Sequence, residues 1–215
     1  VPTDAGRPVL LLARQVAILA ADADAALSNP ADLMPEVRLA VNADSLATWV
    51  MPALAPVATT IRIMFLREDE GHTADLLRDG TAMAAVTTER TPVQGCTVES
   101  LGAMRYRPTA STSFAARWFA DGVTPAALRH APVVVFDERD RLQVDRLAEA
   151  GIAWGRTPWH TVPASTQFSE AVRLGYGWGM LPDLEGRAWE GVDLSAVPGS
   201  CLGVHDVTLS WQQWT

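Results

Sequence analysis

Apolar residues change their spacing several times along this chain, and each change marks an element. Val9, Leu12, Val16, Leu19, Ala23 and Ala26 recur in steps of three and four, which predicts a helix with an a/d seam. Such a seam suits pairing with a second helix, or packing on the helix's own domain. Ser28-Asn29-Pro30 stops it. From Val37 the period is two: Val37, Leu39 and Val41 alternate with Arg38 and Ala40, the pattern of a strand. Asn42-Ala43-Asp44-Ser45 reads as a helix start, with Asp44 or Ser45 able to cap. Leu46, Trp49, Val50 and Leu54 carry that helix, and Pro52 is expected to kink it. A second strand is predicted over 60–66. The acidic loop Glu68-Asp69-Glu70-Gly71 leads through His72-Thr73 into a short helix ended by Gly80. A third strand over 82–88 closes the unit. This β-α-β-α-β order implies a parallel sheet with helices on its faces.

The pattern then repeats in kind. A strand over 97–110 leaves the first unit, and helices follow over 113–119 and 125–130. Strands are predicted over 132–136, 160–163 and 178–181, with helices over 139–150 and 165–174 between them. The last strand, over 204–211, can return to the first sheet. Two αβ units in tandem imply two lobes around a cleft. In open parallel sheets a ligand sits beyond the carboxyl ends of the strands, near helix N-termini. The loops at 42–45, 68–73, 87–89, 137–143 and 164–166 hold that position.

Composition narrows the class. The chain has 215 residues, 48% of them hydrophobic and 20% charged, which suits one large domain or two small lobes. Its longest apolar runs, Val9–Ala13 and Ala131–Phe136, are too short to span a bilayer, and no secretion signal opens the sequence. A cytoplasmic address and no membrane partner are expected. Cys96 and Cys201 are expected to be buried free thiols. The net charge of −8 repels DNA, so any DNA contact falls to another segment.

Catalytic constellations do not emerge. The histidines His72, His130, His160 and His205 lack metal-ligand spacing. There is no Gly-x-Ser-x-Gly elbow and no phosphate-binding glycine loop. Gly175-Tyr176-Gly177-Trp178-Gly179 follows a helix and reads as a tight turn beneath a strand. No enzyme, metal or cofactor is expected. The acids Glu68, Asp69 and Glu70 read first as a solvated loop. Desolvated at a strand end, they would attract a cation, and Asp137 is a second candidate of that kind. His72 reads first as a capping or core histidine.

The order of short motifs is also informative. Val41-Asn42-Ala43-Asp44-Ser45-Leu46-Ala47-Thr48-Trp49 is followed by Glu68-Asp69 with His72-Thr73, then by Ala85-Val86-Thr87-Thr88-Glu89. Pro92-Val93-Gln94-Gly95-Cys96 and Leu101-Gly102-Ala103-Met104-Arg105-Tyr106 come next. Leu142-Gln143, Val162-Pro163, Gly177-Trp178-Gly179-Met180 and Trp211-Gln212-Gln213-Trp214 complete the series. Together, over 36–214, they resemble the effector domain of LysR-type transcriptional regulators, in the ArgP/LysG branch that senses lysine and arginine. Val144 and Ser210 depart from the branch pattern, where an acid and a tyrosine are expected.

The resemblance implies two Rossmann-like lobes of the periplasmic-binding-protein type II, preceded by a linker helix that pairs subunits. It implies a linker end at 1–29, lobe I at 30–108 with 200–215, and lobe II at 109–199. It also implies a homodimer or homotetramer, and DNA contact through an N-terminal winged helix-turn-helix absent from this sequence. The effector-holding positions it implies are Asn42, Asp44, Ser45, Asp69, His72, Thr73, Thr87, Ser111, Asp137, Gln143 and Ser165. The effector would be a basic amino acid, and the output an exporter or biosynthesis gene. Other readings are the same fold sensing another metabolite, an enzyme built on two αβ lobes, and a solute-binding transport protein.

Overall fold

A computed structural model describes residues 3, 6, 9, 12, 13, 16, 17, 20, 34–68, 72–186 and 191–215. Most of the predicted first helix, including Leu19, Ala23 and Ala26 of its seam, lies outside the described residues. Val9, Leu12 and Val16 lie within them, are helical and are exposed. The strands described are β1 (Glu36–Val41), β2 (Arg62–Arg67), β3 (Ala84–Thr87), β4 (Cys96–Ser111), β5 (Val133–Val135), β6 (Trp159–Thr161), β7 (Gly179–Pro182), β8 (Gly191–Asp193) and β9 (His205–Trp214). Helix α1 is a run of three parts, Ala43–Ser45, Leu46–Val50 and Met51–Leu54. The others are α2 (Thr73–Arg78), α3 (Thr112–Trp118), α4 (Pro125–Leu128), α5 (Leu142–Glu149), α6 (Ser165–Arg173) and α7 (Asp183–Gly186). Two compact units are present: residues 1–102 with 208–215, and residues 103–207. No helix among the described residues is long and apolar enough to cross a membrane.

In the first unit β1 lies parallel to β2, with Val41 opposite Arg67, and parallel to β3, with Ala40 opposite Ala85. The expected β-α-β-α-β order is therefore present. β9 returns antiparallel on β3, from Ala84 opposite Gln213 to Thr87 opposite Ser210. Ala40, Ala74, Leu77, Ala82, Ala85 and Val93 form the core, flanked by Leu66 and Trp214. Small residues on the strands let α2 approach the sheet closely, which Leu77 then seals.

Gln212 joins the end of β9 to the loop after β3. It is fully buried, accepts from Val93 N at 2.8 Å, and donates to the carbonyls of Glu89 and Thr91 at 3.0 Å each. Trp214 Nε1 donates to the Ala82 carbonyl at 3.3 Å. Gly95 takes φ +85°, and a Cβ there would lie 2.6 Å from the Trp214 ring. The Pro92–Cys96 and Trp211–Trp214 motifs are thus two faces of one packing contact.

Three local expectations are corrected in this unit. The cap of α1 is Asn42, whose Oδ1 accepts from Ser45 N at 3.1 Å, rather than Asp44 or Ser45. An Asx residue directly after the strand reaches the third amide of the turn, which the later residues cannot do. Pro52 produces a π-helical stretch at Leu46–Val50 rather than a simple kink. Widening the turn accommodates the ring and the missing N–H of proline. β2 starts at Arg62 because Thr60 N and Ile61 N still donate to Val57 O in the preceding turn.

In the second unit β4 pairs antiparallel with β7, from Tyr106 opposite Pro182 to Thr109 opposite Gly179, and with β8. β5 and β6 are parallel, and Trp178 makes a parallel bridge to Val133. Helix α6 turns Phe168, Ala171 and Val172 inward at helical spacing, onto Val134 and Leu181. Burying a side chain of the Phe or Val kind contributes roughly 1.5–3 kcal/mol. The glycine tract forms a tight turn before β7, as expected, and it also packs closely. Gly175 ends α6 at φ +81°, and a Cβ on Gly177 would sit 2.8 Å from Pro132 O. Helix α5 starts at Leu142 rather than at Arg139. Asp137 and Asp140 bond the intervening amides and hold them in a turn. Cys96 and Cys201 are free and half-buried.

Candidate functional site

In the first unit, the carboxyl ends of β1, β2 and β3, with the starts of α1 after β1 and of α2 after β2, carry several expected residues. Asn42 is buried and spends its Oδ1 on the α1 cap. Asp44, half-buried in the first turn of α1, sits where the helix dipole favours an anion. Ser45 is 0% exposed, and its hydroxyl has no hydrogen-bond partner among the described residues. Burying an unpaired hydroxyl costs on the order of 1–3 kcal/mol. Arg146 Nε and Trp178 Nε1 are likewise unpaired. Arg146 lies in the second turn of α5, and Trp178 bridges to the first residue of β5.

Glu68 continues β2 and donates its N–H to Val41 O at 3.3 Å. Asp69 lies outside the described residues. His72 is exposed at the cap position of α2, with no side-chain cap bond. Thr73, the first residue of α2, is fully buried. Thr87 closes β3, and its Oγ1 accepts from Glu89 N at 3.1 Å. Glu89 in turn pairs with Arg78, which also binds Asp75 at 2.7 Å. The hydrogen bonds to Glu89 and then Asp75 raise the Arg78 guanidinium above its ordinary pKa.

In the second unit, Asp137, Gln143 and Ser165 follow the carboxyl ends of the parallel pair β5 and β6. Asp137 Oδ1 accepts from Arg139 N at 2.8 Å and Asp140 N at 3.1 Å. Its Oδ2 lies 3.9 Å from the Arg139 guanidinium. Ser165 opens α6 and is buried, after Ala164, which provides no side-chain cap. Ser111 stands apart. It caps α3, accepting from Phe114 N at 3.3 Å, and its Oγ faces Gly175 at the far end of α6. A nine-residue helix separates that end from Ser165 by about 13 Å.

Gln143 is 1% exposed. With its amide oriented to satisfy its neighbours, it donates to both carboxylate oxygens of Asp140 at 2.8 Å and accepts from Met180 N at 3.3 Å. It serves the scaffold of this loop. Asp140 is the hub: Oδ2 accepts from Phe136 N at 2.8 Å and Oδ1 from Leu142 N at 3.0 Å. Sequence reasoning passed over Asp140 because it fell inside the helix predicted over 139–150; with the helix starting at Leu142, it stands just before the first turn, where Asp is a capping residue.

A second group passed over is an ion network beside β4. Arg107 binds Asp183 through Nε at 2.5 Å and Asp193 through Nη1 at 3.0 Å, beside a recess of about 260 Å³. Arg105 clamps Asp206 with two bonds of 2.8 Å. The alternation of Arg105 and Arg107 along a strand was the available signal. These bonds tie the start of α7, β8 and β9 to β4. No cluster of His, Cys, Asp and Glu among the described residues could hold a metal ion.

Comparison with known proteins identifies the family. The sequence is 43% identical over 224 residues to the HTH-type transcriptional regulator LysG of Mycobacterium tuberculosis, covering 99% of this chain and 69% of that protein. It is 40% identical over 218 residues to the lysine export transcriptional regulatory protein LysG of Corynebacterium efficiens, covering 100% of this chain and 73% of that protein. The fold matches the crystal structure of ArgP from Mycobacterium tuberculosis with a TM-score of 0.85 and 39% identity, over 99% of this chain and 72% of that one. It matches full-length LysG from Corynebacterium glutamicum with bound effector Arg at a TM-score of 0.79 and 33% identity, over 99% of this chain and 72% of that one. The family model for the LysR substrate binding domain matches residues 31–213. A periplasmic-binding-protein-like fold, strand-end polar residues and these likenesses agree: the chain belongs to the LysR substrate binding domain family.

Proposed function

We propose that this chain is the effector-sensing part of a transcriptional regulator and that its effector is a basic amino acid, L-lysine or L-arginine. The observation that carries the proposal is the buried, unpartnered hydroxyl of Ser45 at a helix start on a strand's carboxyl end. A fold retains such a group at a cost, and a carboxylate ligand would satisfy it. Roles are assigned by chemistry, residue by residue. In the first unit, Ser45 and Thr73 are the helix-start groups suited to a carboxylate, and Asp44 and Asp69 are the acids suited to a cation. In the second unit, Ser165 is the helix-start group and Asp137 the acid that meets a cation. The arginine in the LysG structure from Corynebacterium glutamicum supports the ligand class.

Binding biases an equilibrium between conformations by the ligand's differential affinity, typically ~1–3 kcal/mol. The exposed seam residues Val9, Leu12 and Val16 support pairing with a second copy as a homodimer or homotetramer. DNA contact falls to a winged helix-turn-helix segment outside these residues, because this surface is strongly acidic. The relative named for lysine export supports an amino acid exporter or biosynthesis gene as the target. The proposal contains no catalytic step and places the protein in the cytoplasm. Calorimetry with lysine, arginine and histidine tests it. Heat from lysine or arginine is expected. Silence from all three, with binding of an uncharged metabolite, overturns the basic amino acid reading.

A further inference from the structure

We infer that Asp140 is the positioning residue for the cation contact, holding Asp137 so that one carboxylate oxygen faces the ligand; this rests on the role proposed above for Asp137. The geometry lies in a single loop. Asp140 N donates to Asp137 Oδ1 at 3.1 Å, and Arg139 N donates to the same oxygen at 2.8 Å. Both lone pairs of Oδ1 are thereby engaged, and the side chain is fixed in a turn. Oδ2 accepts no hydrogen bond from the described residues, and Arg139 stands 3.9 Å from it.

Asp140 holds the turn itself. Its two oxygens collect the amides of Phe136 and Leu142, at 2.8 and 3.0 Å, on either side of the turn. The Gln143 side chain donates to both oxygens and accepts from Met180 N at 3.3 Å, which ties the loop to β7. The chain of bonds runs from β7 through Gln143 and Asp140 to Asp137. Gln143 is 1% exposed, so this support is inside the fold rather than on its surface. A charged contact needs this support, because small displacements of an ion pair forfeit much of its energy.

The test compares Asp137→Asn, Asp140→Asn and the double variant in the full chain, with lysine and norleucine, which lacks the ε-ammonium, as probes. Asn at 137 can keep the turn bonds while losing the charge. Asn at 140 turns one acceptor into a donor facing a backbone N–H. Asp140→Asn is expected to fold, to weaken lysine about tenfold and to leave norleucine unchanged, a loss of about 1.4 kcal/mol in the charged contact alone. The double variant is expected to bind lysine no more weakly than Asp137→Asn, the non-additivity of residues acting as one unit.

Unchanged lysine affinity in a folded Asp140→Asn overturns the inference. So does an equal loss for both probes, or a fully additive double variant. Should Asp140→Asn fail to fold, Gln143→Leu, which cuts the link to Met180, is expected to show the same selective loss; its absence overturns the inference. Unchanged lysine affinity in Asp137→Asn overturns the underlying site reading instead. The two failures are therefore distinguishable.

Discussion

Replacing Ser45 with alanine should move stability and ligand affinity in opposite directions. The Ser45 hydroxyl is fully buried and has no hydrogen-bond partner among the described residues. Its removal relieves a desolvation cost on the order of 1–3 kcal/mol, and alanine is the better helix former by about 0.5 kcal/mol. The cap bond from Ser45 N to Asn42 is a backbone donation and survives the change. The net expectation is a gain of about 2 kcal/mol, or roughly a 4–8 °C rise in midpoint for a chain of this size. With ligand present the sign reverses. A hydroxyl bonded to a carboxylate contributes roughly 1.5–3 kcal/mol, so Ser45→Ala should bind lysine about 10–100-fold more weakly. Thermal unfolding with and without lysine, together with calorimetry, reads both effects. A ligand-free variant less stable than the parent, or one with undiminished lysine affinity, would refute the reasoning.

Three further outcomes follow from other contacts. Gln212→Met removes three hydrogen bonds and leaves Val93 N buried without an acceptor, so urea unfolding should show a loss of about 3 kcal/mol; a loss under about 1 kcal/mol contradicts the role given to Gln212. Desolvation pushes the Asp193 carboxyl up, but bonds from Ser195 and Arg107 outweigh it and hold it below its ordinary value. A depressed carboxylate stabilises the fold above its unfolded pKa and loses that contribution as pH falls through the folded value. The stability gap between the parent and Arg107→Met should therefore be constant at neutral pH and narrow only below about pH 4; narrowing at pH 6 to 7 is the adverse result. Because Asp137 Oδ1 is engaged, a guanidinium cannot form a two-bond fork there, so lysine and arginine should bind within about tenfold of each other. Calorimetry showing arginine more than about 100-fold tighter would contradict that geometry.

The fold was legible where periodicity is strong. Val37, Leu39 and Val41 announced β1, and Phe168, Ala171 and Val172 announced the inward face of α6. The return of β9 to the first sheet was also readable, because its alternation resembles that of the other strands. Boundaries set by side-chain-to-backbone bonds were not. Asn42, Asp137 and Asp140 fixed where helices begin, and periodicity carries no trace of such bonds. Within each unit, the described loops do follow the carboxyl ends of the parallel strands, as their sequence order implied. Residue type alone did not separate Ser45, unpaired and buried, from Ser111, engaged as a cap at the far end of α6. Gln143 looked like a ligand contact in sequence, while its burial and its tie to Met180 N make it a strut. Gln212 was legible only as part of the Trp211–Trp214 motif; its bonds carried no signal, since their partners lie 119 and more positions away.

The interrupted course of the first unit also imposes an order on synthesis. Residues 103–207 form one uninterrupted stretch, whereas the first unit waits for residues 208–215 before β3 gains its outer neighbour. On the ribosome the inner stretch emerges whole while the earlier strands still show a bare hydrogen-bonding rim. Gln212 must then find Thr91 across 121 positions of chain, a slow long-range closure. Until it does, the nascent protein exposes an edge that invites mispairing with other chains, and a chaperone would find its work there.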